Sequence, residues 1–146
     1  MTVLLRASEG RRLLSNTVVA TPADTGGRYS LYRIDLAAGS GGARPHRHQR
    51  FAESFTVLSG EVALYDGSRW VTAVEGDHLL VPERGVHGFR NDSDAPASML
   101  MMSTPGAPRE AYFAELAEVL ASGHELSPEQ WTALYARHDQ EMVAVD

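Results

Sequence analysis

Pro45-His46-Arg47-His48-Gln49-Arg50-Phe51-Ala52-Glu53-Ser54-Phe55-Thr56-Val57-Leu58-Ser59-Gly60 is the stretch around which this chain is organised. Its two histidines stand two residues apart. In an extended strand, side chains i and i+2 leave the same face. His46 and His48 can therefore converge on one point, as imidazole pairs that hold transition metals do. Glu53 follows with a carboxylate, and a further imidazole is available downstream at His87.

Here the chain resembles the cupin superfamily. The first cupin motif runs Gly, five residues, H-x-H, three or four residues, Glu, six residues, Gly; His46, His48, Glu53 and Gly60 fit it. Ser40 stands where the leading Gly belongs, between Gly39 and Gly41. The second motif runs Gly, five residues, Pro-x-Gly-x-x-His, three residues, Asn. Gly76, Pro82, His87 and Asn91 fall in register, with Arg84 at the inner Gly position and Gly85 one place late. The resemblance implies an all-β jelly-roll barrel. It also implies His46, His48, Glu53 and His87 as ligands of one divalent transition metal. Three imidazoles and a carboxylate suit Fe, Mn, Ni, Co, Cu or Zn better than Mg or Ca. Glu53 is either a ligand or a catalytic base.

Composition narrows the remaining chemistry. The 146 residues suit a single domain, and 43% hydrophobic residues can build a core. There is no Cys, so disulfides and thiolate metal sites are excluded. All thirteen basic residues are Arg, which removes lysine Schiff-base chemistry. A net charge of −6 argues against a nucleic-acid partner. No apolar run is long enough for a membrane helix. The start, Met1-Thr2-Val3-Leu4-Leu5-Arg6, lacks the pattern of a signal peptide, so the expected location is the cytoplasm.

Along the chain, Val3 to Ala7 reads as a short strand and Arg12 to Ala20 as a second extended piece. Tyr29 to Leu36 alternates, with Tyr32, Ile34 and Leu36 on one face. Further strands are expected at Glu53–Leu58, Glu61–Tyr65, Arg69–Val74, His78–Val81, Val86–Arg90 and Ala97–Ser103. Asp66-Gly67 marks a hairpin. Short strands at such intervals imply an antiparallel sandwich or barrel. After Pro105 the period becomes helical. Tyr112, Leu116, Val119 and Leu120 predict one helix, closed by Gly123. Ser127-Pro128-Glu129-Gln130 predicts the start of another, with Trp131, Leu134, Tyr135, His138 and Met142 on one face. Residues 1–104 are expected to form the barrel and 105–146 a helical extension packed on it, in one domain overall. The helices would cover the barrel or help form a homodimer, and Tyr112 or Phe113 could cap its mouth. Val3 to Ala20 is the candidate to join a partner's sheet.

Tyr29, Tyr32, Phe51, Phe55, Phe89, Trp70 and Met99 to Met102 are the expected apolar wall, suited to an aromatic or polyketide-like molecule. His78 either points inward to substrate or sits on the surface, with the surface preferred. The expected function is a quercetinase-like dioxygenase acting on a small enolic or aromatic molecule held in the barrel. The alternatives are a non-oxidative cyclase, isomerase or decarboxylase, and a binding protein without turnover. Fold alone does not separate them.

Overall fold

Strand β3 (Ser30–Leu36) shows how the barrel is built. Ser30, Tyr32, Ile34 and Leu36 are buried while the residues between them face outward. That two-residue period is what one buried sheet face demands. The computed structural model describes residues 2–145.

Ten more strands complete the architecture, with β2 and β5 alternating in the same way: β1 (Arg12–Leu13), β2 (Asn16–Ala20), β4 (Ala43–Arg47), β5 (Ala52–Ser59), β6 (Val62–Tyr65), β7 (Trp70–Ala73), β8 (His78–Val81), β9 (His87–Arg90), β10 (Ala97–Thr104) and β11 (Glu141–Met142). They form two antiparallel sheets. One has the order β1-β2-β3-β10-β5-β8 and the other β11-β4-β9-β6-β7. The sheets bury one shared core in which Tyr32, Ile34, Phe55, Val57 and Met99 of the first meet Val62, Leu64 and Ala73 of the second. From β3 onward sequential strands alternate between the sheets, apart from the β6–β7 hairpin, as in a jelly roll.

Two turns show what the motif glycines do. Gly60 has φ of +72°, and a Cβ there would lie 2.5 Å from the Pro96 carbonyl oxygen. Arg84, at the second motif's glycine position, also adopts a left-handed φ of +66°. The backbone requirement thus persists although the side chain has changed. Asn91, fully buried, donates to the carbonyls of Leu36 and Ala95 and accepts from Ser93, so it pins the 91–96 loop.

Helix α1 (Arg109–Ser122) ends at Gly123 in the left-handed conformation. Helix α2 (Pro128–Arg137) begins with a complete capping box between Ser127 and Gln130. Tyr112, Phe113 and Leu134 belong to the same buried cluster as the strands. No helix among the described residues is long and apolar enough to cross a membrane.

Several expectations need correction. Val3 to Ala7 forms no strand; Val3, Leu4 and Leu5 are exposed, and a single 3-10 turn covers Ala7–Glu9. The segment from Arg12 to Ala20 is a hairpin rather than one extended piece, turning at Leu14 with φ of +56°. Leu120 is 59% exposed, because α1 buries mainly its first turns, through Arg109, Tyr112 and Phe113. Met142 does not share a helix face with Trp131. Asp139 takes a φ of +52°, the chain leaves the helix, and Met142 pairs with His46 in β11. Tyr29 lies on the surface rather than in the wall.

Candidate metal centre

The residues at the centre come from both sheets. His46 lies in β4 directly opposite His87 in β9. His48 follows the end of β4, where the chain crosses to the other sheet. Glu53 enters from β5. One potential ligand atom from each of the four lies within 4.8 Å of every other. All four side chains are buried, Glu53 to 3% exposure and His87 to 1%.

Hydrogen bonding settles the histidine tautomers. His46 Nδ1 lies 2.7 Å from the Arg44 carbonyl, His48 Nδ1 2.7 Å from the Asp139 carbonyl, and His87 Nδ1 3.0 Å from the Gly85 carbonyl. A carbonyl only accepts, so each Nδ1 carries the proton and donates it. In the neutral rings every Nε2 is then a lone pair. His87 Nε2 stands 2.9 Å from Glu53 Oε2, and His48 Nε2 stands 3.3 Å from Glu53 Oε1. The second contact has the length of an ion pair but not the direction of a hydrogen bond, and His48 Nε2 has no hydrogen-bond partner among the described residues. Lone pairs therefore face a carboxylate in a dry interior. Acceptors crowded without donors are costly unless a cation lies between them. Nitrogen and oxygen donors in this number fit a divalent transition metal.

The electrostatics agree. Burial pushes His46 down to about 3, aided by the charges of His87 and His48, so its ring is neutral and ready to ligate. At Glu53 burial pushes the pKa up. When the His48 and His87 rings are protonated, donation and positive charge from them outweigh it and hold the carboxyl well below its ordinary range; between neutral rings a cation would supply that positive charge. Glu53 is thus an ionised acceptor.

The surroundings complete the geometry. Phe51 stacks on His48 at 4.3 Å between ring centres, and Phe55 lies 5.6 Å from His87. Phe89 packs on Phe55. The carbonyl that orients His48 belongs to a strap formed by residues 139–143. The Asp139 carboxylate accepts from the backbone N–H groups of Gln49 and Arg50 at 3.0 and 2.9 Å. Arg47 faces outward, and there it binds Glu141 through two bonds of 3.0 Å. His78 is exposed and lies 2.7 Å from Thr56 Oγ1 across the β5–β8 pair, so the surface placement holds. His138 bonds to Glu115 at the end of α2.

Arg109, Asp139 and Gln140 did not emerge from sequence reasoning as parts of this region. Arg109 is 4% exposed and donates to the His138 carbonyl and to Gln140 Oε1. A cavity of about 890 Å³ lies between α2 and the strap, lined by Arg44, Trp131, Tyr135 and Met142. It contains none of the four central residues. The chemistry follows the converging donors rather than this larger hollow.

A two-sheet jelly roll that gathers four such donors in its interior is a barrel with a candidate metal site. The family profile described as "Cupin domain" matches residues 32–103, the span that carries all four donors. The chain belongs to the cupin superfamily. It is 28% identical to a quercetin 2,3-dioxygenase of Bacillus subtilis over 98% of its length, covering 42% of that protein. It is 37% identical to germin-like protein 5-1 of Oryza sativa subsp. japonica over 53% of its length, covering 37% of that protein. The chain thus spans about two fifths of these relatives. Among solved structures, a predicted oxalate decarboxylase of Thermotoga maritima superposes with a TM-score of 0.65 at 18% identity, covering 70% of this chain and 99% of that one. That likeness concerns the fold.

Proposed function

We propose that the chain is a metal-dependent cupin enzyme, a dioxygenase acting on a small enolic or aromatic molecule in the barrel. The observation that carries the metal reading is the convergence of three Nε2 lone pairs with an ionised, buried Glu53. His46, His48, His87 and Glu53 would hold the ion. Bound there, a divalent transition metal would act as a Lewis acid toward a substrate oxygen. Glu53, kept ionised, can accept the proton of an enol or phenol hydroxyl at a carboxylate oxygen. Phe51, Phe55 and Phe89 supply flat apolar walls beside it and exclude water. Similarity to the Bacillus quercetinase, running through almost the whole chain, supports the oxidative choice.

The test is oxygen uptake by protein loaded in turn with Fe, Mn, Ni and Co, using a flavonol and a catechol as substrates. Uptake in step with substrate loss is expected. Turnover that persists under strict anaerobiosis would reject the dioxygenase in favour of a cyclase, isomerase or decarboxylase. His46→Ala and His87→Ala are each expected to reduce bound metal to below about a tenth of an equivalent, since loss of one strong ligand costs orders of magnitude in affinity. A variant keeping a full equivalent by elemental analysis would reject the ligand assignment.

A further inference from the structure

Arg109 is a buried cation without an acidic hydrogen-bond partner. Its two terminal nitrogens are taken by neutral acceptors, the His138 carbonyl at 2.8 Å and Gln140 Oε1 at 2.7 Å. Its Nε–H is buried and has no partner among the described residues. The guanidinium lies over Tyr112 at 4.5 Å and within 5.7 Å of the Phe51 ring centre. Phe51 in turn stacks on His48. One aromatic ring therefore separates Arg109 from a residue of the candidate metal centre.

An arginine stays charged in proteins, and a buried charge normally has a counter-ion. Burial disfavours the ionised form of Arg109, Glu53 is the charge that most offsets this, and without an ion the two would roughly cancel. A divalent cation among the donors changes that balance. With neutral imidazoles, the interior would carry an excess of about two positive charges.

The space beside this region has the same sign. A cavity of about 500 Å³ is lined by Arg50, Phe51, Arg109, Arg137 and His138 together with the 105–108 segment; Arg137 and His138 are bonded to Glu115, which leaves Arg50 and Arg109 as the cations on offer. The one carboxylate on its wall, Asp139, already has its oxygens turned to the amides of Gln49 and Arg50. A chain of net charge −6 thus has a locally basic cavity beside Phe51 and Arg109, the arrangement that draws in anions.

We propose that the molecule taken into this cavity is a small organic carboxylate, and that Arg109 is the binding residue that selects its charge. The free Nε–H is the donor on offer. This deepens the preceding section and rests on its metal reading for the charge excess. The placement of Arg109 and its neutral neighbours does not depend on that reading.

The experiment compares benzoate with its neutral isostere benzamide by calorimetric titration into zinc-loaded and metal-stripped protein. Metal content is measured separately by elemental analysis. The zinc-loaded protein is expected to prefer benzoate by at least about tenfold, the ratio one charge-assisted hydrogen bond supplies. Arg109→Met removes the charge and should lower that preference at least about fivefold without reducing bound metal. Gln140→Glu keeps the shape, gives Arg109 an internal carboxylate and should lower the preference equally; it serves if the methionine variant does not fold. Equal binding of the two probes, or a preference unchanged in Gln140→Glu, overturns the proposal. If elemental analysis finds no metal uptake, the metal reading fails on its own. The same titrations on stripped protein then decide Arg109, with benzoate preference supporting it and indifference overturning it.

Discussion

Replacing Asp139 by Ala tests whether the strap orients a ligand of the metal centre. The substitution removes the acceptors that hold the Gln49 and Arg50 amides and places a Cβ-bearing residue with no compensating side-chain bond at φ of +52°. Two hydrogen bonds at an exposed site contribute about 1 kcal/mol each. The left-handed backbone of Ala costs roughly 1–2 kcal/mol more. The local loss of about 3–4 kcal/mol frees the strap, and with it the carbonyl that fixes His48 at 2.7 Å. Removing such a support to a ligating histidine lowers metal affinity about 10- to 100-fold. The assay is competition for zinc or cobalt against a chelator, with urea unfolding of the metal-free protein alongside. Asp139→Asn tolerates the left-handed backbone and keeps one acceptor, so it should recover much of the loss. An Asp139→Ala protein that unfolds earlier in urea yet binds metal within about twofold of the parent would refute the reasoning. His48 would then need no help from the strap.

Two other outcomes follow from the electrostatics and the surface. The metal-free fold should weaken on acidification, because His46 has a folded pKa near 3, below its ordinary value, and Glu53 is also held low. The unfolded chain therefore binds more protons than the folded one as pH falls from about 6.5 toward 3. Stability contributed by these groups is complete above that window and lost within it, by up to about 1.4 kcal/mol per pH unit for His46 alone. Thermal melts of stripped protein should show a midpoint that falls as pH drops from 7 to 4, and a flat or rising profile would contradict the assignment. His78→Ala should leave metal content unchanged and shift stability by less than about 0.5 kcal/mol, as surface changes do. Elemental analysis and urea unfolding check it, and a loss of metal would show that His78 reaches the interior.

The barrel and its four central residues were legible because each rests on a local pattern. Alternation in Tyr32, Ile34 and Leu36 specifies a buried sheet face, and the H-x-H pair specifies one direction for two imidazoles. Even Arg84 keeps the backbone conformation that its motif position demands. The strap was not legible, because its contact to His48 spans 91 residues and runs through a main-chain carbonyl that any residue could supply. Its weak cue was Asp139, one of the residue types that tolerate left-handed backbone. Apolar periodicity running on to His138 and Met142 imitates a longer helix and masked the break. Arg109 sits at the start of a helix, where a charged side chain suggests solvent, and only the tertiary fold buries it.

The strap also has a bearing on how the molecule matures. His46 and His48 leave the ribosome well before Asp139, and β11 can pair with β4 only after Met142 has been synthesised. His48 consequently waits, without its orienting carbonyl, until translation of nearly the whole described chain is done. The full grip on any ion bound among the four donors would therefore have to await the synthesis of Asp139.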